Sequence, residues 1–426
     1  MDVNAGMNRF FSWQLALAVL PLRAAVAQSL PRPDFAGLYR DVPRVMVDAR
    51  REGDSLRLYV RLPAGAAAVP GRLLRVTAWA GYEAPAPLWQ DSIPRRQQHL
   101  RADATGGTRA SFCVAAARVP AGTVLQVQTG PAAPPAAGQD AATTAWLPLP
   151  AERLTRPFVA TDSSGLPLLR TYVRAGETFR VDNYGPVQAV RMRRYAVPPT
   201  PALPPMTNPA TVPGGAPTLP LLDSAAARTG QLLRCDSPSL LALRVGGADG
   251  QAPRTLPLLV ANADYPNLRT AGQLIEPLRY LTSTAEHQRL EHATDPKRAV
   301  DEFWLGAAHD NQAVGKALIR KYYGRVAAAN RLFTAHKTGF LTDRGLLYVV
   351  LGPPQSVRRL ATGDEQWDYA PVGTGGPLTF SFRPRPSTFA PDNYELVRRP
   401  EYEKLWYGAV QQWRTGQSAP TDPSGR

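Results

Sequence analysis

Cysteine, lysine and long apolar runs are scarce in this chain, and each shortage narrows what it can be. Of 426 residues only two are cysteine, Cys113 and Cys235. They can pair in an oxidising compartment, but two small buried side chains in different domains is the simpler expectation. The one long apolar run, Phe10 to Leu22, is too short to span a bilayer, which takes roughly 20 residues. No cysteine follows it at a lipobox position, so a lipid anchor is unsupported. Lysine is rare, with 44 arginines against 5 lysines, and the net charge of +15 is spread along the chain without a run of five or six basic residues. That scatter is what a GC-rich coding sequence produces, and it gives no stripe for nucleic acid. Signatures of chemistry are missing too. There is no G-x-x-x-x-G-K-[ST] phosphate loop, no H-E-x-x-H and no G-x-S-x-G elbow.

What is present begins with an export signal. Arg9 precedes the apolar run, and Ala25-Val26-Ala27 is an A-x-A cleavage site ahead of Gln28. Residues 1–27 are expected to be a signal peptide, leaving a periplasmic or cell-surface protein with no membrane span.

From 35 to 150 the pattern is strand after strand. Leu56, Leu58, Val60 and Leu62 alternate with Arg57, Tyr59 and Arg61, the period of a half-buried strand. Glu52-Gly53-Asp54 is a hairpin turn before it. Short strands separated by Pro and Gly predict an immunoglobulin-like β-sandwich, with a Pro/Ala/Gly-rich loop from Gly130 to Thr144. A second such domain is expected over 151–262. It is interrupted at 197–220 by a stretch of nine prolines, which cannot donate to a sheet ladder.

After Asn262 helical signals appear. Ser283 with Glu286 fits a capping box, Asp295-Pro296 marks a second helix start, and a third lies at Asp310. Val314, Leu318, Ile319, Tyr322, Val326, Asn330 and Phe333 then recur on one face of a long helix. Strands are predicted at Leu346–Leu351, Gln366–Tyr369, Leu378–Phe382 and Tyr394–Val397, with a helix at Glu401–Trp413. These make an α+β domain over 263–415 and a loose tail over 416–426.

Within that domain Gly339, Phe340, Leu341, Thr342 and Asp343 are followed by Arg344-Gly345, the run LLYVVL and Gly352-Pro353-Pro354. This order resembles the GWxTD domain, found in exported proteins of Bacteroidota, with Phe340 in place of the tryptophan. IEPLRYLT at Ile275–Thr282, Phe303-Trp304, RVAAANRLF at Arg325–Phe333 and Trp367-Asp368-Tyr369 are also similar. The resemblance implies a family and an exported location, and no activity.

The motif reads as a structural corner. Thr342 and Asp343 are turn formers, Gly345 permits positive φ, Gly352-Pro353-Pro354 ends a strand, and Phe340 packs beneath. Four histidines, His287, His292, His309 and His336, cluster in sequence with acidic residues. His287 and His292 are five apart, however, and diverge by about 140° on a helix, so no metal or cofactor is expected. Most C-terminal aromatics belong to the core, with Trp367, Tyr369 and Trp406 as candidates for an exposed binding subset. The expected function is a non-catalytic envelope protein that binds or assembles with an envelope protein or glycan. The alternative is an envelope hydrolase using acidic residues such as Asp301 with Asp343.

Overall fold

Alternate burial along Ser55–Leu62 sets the layout of the N-terminal part. Leu56, Leu58, Val60 and Leu62 are buried, and the residues between them are half-buried, so one face of the strand meets a core. The computed structural model describes residues 33–64, 74–102, 106–129, 143–197, 200–208, 218–246, 253–370 and 378–417. The expected signal peptide, most of the loop at 130–144, part of the proline stretch and most of the tail lie outside the described residues.

Strands β1 (Met46–Glu52) and β2 (Ser55–Leu62) form a hairpin whose turn holds Gly53 at φ 55°, a left-handed conformation that glycine adopts without strain. With β5 (His99–Ala102) and β6 (Thr108–Ala115) they make one sheet, in the order β1-β2-β6-β5. A second sheet, β4-β3-β7-β8, combines β3 (Leu74–Trp79), β4 (Pro87–Ile93), β7 (Val124–Thr129) and β8 (Thr144–Pro148). The two share one apolar core, in which Leu58 and Val60 join Val76, Leu125 and Leu147.

A short helix, α1 (Ala151–Leu154), leads to two more sheets. One, β14-β11-β9, uses β9 (Phe158–Asp162), β11 (Thr178–Asn183) and β14 (Leu233–Arg234). The other, β10-β16-β15-β12-β13, uses β10 (Tyr172–Arg174), β12 (Ala189–Tyr195), β13 (Leu221–Arg228), β15 (Ser239–Val245) and β16 (Arg254–Ala261). Pairing is antiparallel throughout the described sheets except between β10 and β16. The proline stretch joins the neighbouring strands β12 and β13. Cys113 on β6 is exposed and Cys235 is buried, both unpaired; the expectation that both are buried therefore fails for Cys113, whose place on β6 faces outward.

The remainder mixes helices with a fifth sheet. Helices α2 (Ala271–Ile275), α3 (Thr284–Glu291), α4 (Pro296–Ala307) and α5 (Gln312–Phe333) come first. Ser283 and Glu286 form the predicted capping box on α3, and Asp295 caps α4 through Arg298 N. Helix α5 is capped by Asn311, whose side chain accepts from Ala313 N and Val314 N, one residue past the predicted Asp310. The sheet β17-β18-β19-β20 is made of β17 (Ser356–Arg359), β18 (Glu365–Tyr369), β19 (Leu378–Pro384) and β20 (Tyr394–Leu396), and α7 (Glu403–Arg414) follows it.

Two expectations are corrected here. The run LLYVVL is not a strand but most of α6 (Asp343–Leu351). An unbroken apolar run carries no periodicity that separates a strand from a fully buried helix, and α6 is buried on nearly every side. Phe35 does not open the first sandwich. It lies beside a 3₁₀ turn, Ala36–Tyr39, that packs into the C-terminal core, held by Phe35 N to Val357 O at 2.9 Å and Val357 N to Asp34 Oδ1 at 2.8 Å.

Candidate functional site

The motif corner sits where α5, a 3₁₀ turn at Gly339–Leu341 and α6 meet. Thr342 is the N-cap of α6: its Oγ1 accepts from Gly345 N at 3.1 Å and donates to Gly339 O at 2.7 Å. One hydroxyl thus joins the turn to the first turn of the helix. Phe340 is buried in the core beneath.

Gly345 is needed for closeness rather than for the positive φ expected of it. A Cβ there would lie 1.9 Å from Gly339 O, and one on Gly339 would lie 2.1 Å from Ala329 O. Backbone packs directly on backbone from α5 through the turn to α6. Gly352 is the residue with left-handed φ, 91°, and with Pro353 and Pro354 it ends a helix, not a strand. Arg325 closes that end, donating to Val350 O at 3.1 Å and complementing the negative end of the helix dipole.

The turn's backbone groups are satisfied by residues far away in the chain. Gly339 N donates to Tyr265 Oη at 3.3 Å, and Phe340 N to Asn330 Oδ1 at 3.1 Å. Phe340 O accepts from Tyr280 Oη at 2.9 Å, and Leu341 O from Ala202 N at 2.9 Å. Buried backbone groups left unpaired are costly, and here they are paired from four separate segments. Ala202 belongs to the proline stretch, which adds Thr200 O to Lys337 Nζ at 3.0 Å and Pro205 O to Arg399 N at 3.1 Å. Residues 200–205, between β12 and β13, are a clasp laid over the corner.

Asp343 does not cap a turn. Its Oδ2 accepts Leu396 N at 2.7 Å and its Oδ1 accepts Arg398 Nη2 at 2.6 Å. The pair is buried, with side-chain exposures of 6% and 9% for Arg398 and Asp343, so it ties α6 to the end of β20. Arg344 lies over the Tyr394 ring at 4.3 Å and donates to Asp392 O at 3.2 Å.

The aromatics proposed for binding are in the core. Trp367 is fully buried and donates to Glu365 Oε1 at 2.7 Å, Tyr369 donates to Gly352 O at 2.8 Å, and Trp406 is buried on α7. Each turns inward because its strand or helix face is the one that meets the core. Asp301 pairs with Lys297 on the exposed face of α4, so it and Asp343 each spend their charge on a separate cation. His287 pairs with Glu291 at 3.1 Å one turn along α3. Among the described residues no group of three or more His, Cys, Asp or Glu side chains is arranged to hold a metal, and no helix is long and apolar enough to cross a membrane.

Sequence reasoning missed Asn330, Tyr265, Tyr280 and Arg398 as parts of the corner. Asn330 left one signal, an amide set within the apolar face of α5. It is fully buried, donates to Pro266 O at 2.9 Å and accepts from Phe340 N.

No curated protein matches this chain. Among solved structures, titin A168169 aligns at 12% identity over 52% of this chain and 99% of that one, with a TM-score of 0.15. The mouse nectin-like molecule 4 ectodomain aligns at 13% identity over 54% and 66%, with a TM-score of 0.17. DIP-gamma IG1+IG2 aligns at 9% identity over 52% and 99%, with a TM-score of 0.13. These likenesses are too faint to carry a ligand or partner across. The family comparison is specific: residues 244–415, which hold α6, its Thr342 cap and the Gly-Pro-Pro terminator, match the GWxTD domain.

Proposed function

We propose that this chain is an exported envelope protein that binds or assembles rather than catalyses, with two immunoglobulin-like sandwiches ahead of its GWxTD domain. The observation that carries this reading is the saturation of the motif corner. Asp343 is spent on Leu396 N and Arg398, and the turn's backbone is spent on Ala202, Tyr265, Tyr280 and Asn330. A general acid or base needs hydrogen-bond reach to a substrate, and these groups are turned inward. The corner joins the proline clasp to the C-terminal core, which suits a protein whose work is to hold several modules in fixed relation for a partner.

The test uses the full chain in its native cells. Crosslinking and capture should recover a stable partner of the envelope, and fractionation should place a protein beginning near Gln28 outside the cytoplasm. Glycan or peptide hydrolysis abolished by Asp343→Asn in a protein of unchanged stability would overturn the reading in favour of an envelope hydrolase. Recovery mainly as a full-length cytosolic protein would overturn its location.

A further inference from the structure

An open groove of about 700 Å³ lies between the N-terminal segment, the first two β units and the end of α5, within the range of small-molecule sites. Its charge is one-sided. Arg40 and Arg44 come from the N-terminal segment, Arg61 and Arg109 from β2 and β6, and Arg170 and Arg174 from β10 and the loop before it. Arg331 of α5 is the seventh, and the acidic lining residues are Asp41 and Asp162. Asp41 accepts from Arg331 Nε at 3.0 Å, whereas Asp162 Oδ1, oriented by Ser164 N at 2.9 Å and Leu166 N at 3.0 Å, keeps its charge.

Two of these guanidinium groups are positioned by backbone carbonyls, and a third keeps an unused donor. Arg44 Nη1 donates to Leu38 O at 3.2 Å and Arg174 Nε donates to Tyr265 O at 2.6 Å. A carbonyl orients a guanidinium but leaves its full charge. Arg170 pairs with Glu177 through Nη2, and its Nη1 has no hydrogen-bond partner. Burial also pushes the pKa of Arg44 down, against the opposing pull of Tyr39 and Asp41. The chain is rich in arginine everywhere, but seven arginines against two aspartates in the lining, with Glu177 behind Arg170, exceeds that background.

We propose that this groove binds a phosphate-bearing ligand of small-molecule size, either a soluble polyphosphorylated compound or a lipid headgroup. Phosphate fits because each group brings nearly two negative charges and three acceptor oxygens, and guanidinium forks grip it bidentately. Leu166, Leu168 and Leu332 on the walls offer apolar surface to the organic part of such a ligand. At about 700 Å³ the groove has the size of a small-molecule site rather than of a track for a long nucleic acid. This extends the binding reading above to a site that it leaves unassigned, apart from the motif corner.

The probe is sodium tripolyphosphate, titrated calorimetrically into the full chain at low ionic strength. A parallel arm uses phosphatidylcholine vesicles with and without phosphatidic acid. Saturable binding of tripolyphosphate supports a soluble ligand, and binding of the phosphatidic acid vesicles alone supports a headgroup. Arg40→Glu with Arg61→Glu should weaken whichever binding is seen by about tenfold or more, while Arg289→Glu on α3 should leave it within about twofold. Should the double variant lose its fold, Arg40→Gln on the exposed rim serves in its place, with a loss of about threefold. Equal losses in the groove and α3 variants, failure of both probes, or binding confined to long polyanions such as duplex DNA would overturn the proposal. None of these outcomes touches partner capture, so the two readings fail separately.

Discussion

Gly345 and Gly339 stand so close that a Cβ on the first would lie 1.9 Å from the carbonyl oxygen of the second. No Cβ fits at 345, so the motif turn can rest on α6 only if Gly345 stays glycine, while Gly339 is held to glycine by Ala329 O of α5, 2.1 Å from its Cβ position. Gly345→Ala should therefore cost about 3 kcal/mol or more, the scale of an overpacked core site that cannot relax. Gly324, exposed in the interior of α5 with nothing within 4 Å of its Cβ position, gives the opposite sign. Gly324→Ala should stabilise by about 0.5–1 kcal/mol, because alanine loses less backbone entropy in a helix. Chemical unfolding of the two variants checks both.

Asp343→Ala removes the acceptor for Leu396 N and leaves the Arg398 guanidinium buried beside nothing negative. Breaking such a pair from one side costs about 3–5 kcal/mol. Asp343→Asn keeps an acceptor and should cost less. Adding Arg398→Met to Asp343→Ala should recover part of the loss, because the orphaned charge goes too. Denaturation midpoints of the four proteins test the order, and an Asp343→Ala protein as stable as the parent would remove the structural role assigned to this carboxylate.

Tyr39 joins the N-terminal segment to the C-terminal core. Its hydroxyl donates to Glu365 Oε2 at 2.6 Å, and its ring lies 4.9 Å from Trp367 and 5.7 Å from Phe333. Glu365 is fully buried. Burial pushes its pKa up, but Arg359 and Arg344, with the hydrogen bonds from Tyr39 and Trp367, hold it below the usual carboxylate range. Tyr39→Phe keeps the stacking and loses one donor to this carboxylate, for about 1–3 kcal/mol. Tyr39→Ala loses the packing as well, for about 3–5 kcal/mol, and should expose residues 33–45 to limited proteolysis.

His336 makes stability fall with acid. Burial, with Lys337 beside it, pushes its pKa down from 6.5 to about 4, so the folded state holds the imidazole neutral where the unfolded chain would protonate it. The unfolded state then binds more protons between those values, and stability is lost progressively as pH falls from 6.5 towards 4. Above 6.5 this contribution is complete. Melting temperatures measured across that window should show the decline, and His336→Gln should flatten it. The residual slope comes from His287, whose pKa burial also lowers, and, towards pH 4, from Glu286 and Glu365, which are held below the usual carboxylate range.

Some of this molecule is written locally and some is not. The alternation of Leu56, Leu58, Val60 and Leu62, the Gly53 turn, the Ser283–Glu286 box and the Asp295 cap follow from neighbours a few residues apart, and so they were legible in the sequence. The order of the motif from Gly339 to Pro354 likewise identified the family without a structure. Helix or strand for LLYVVL was not legible, because an all-apolar run takes its form from what surrounds it, and α6 is wrapped by α5, α7 and the last sheet. Whether Trp367 and Tyr369 face solvent was decided by which face of β18 meets the core. The partners of the corner lie further off still. Arg398 is 55 residues from Asp343, Tyr280 is 60 from Phe340, and Tyr39 is 326 from Glu365. Pairings at such distances depend on chain entropy being offset by the whole core at once, so only the tertiary structure could bring those residues together.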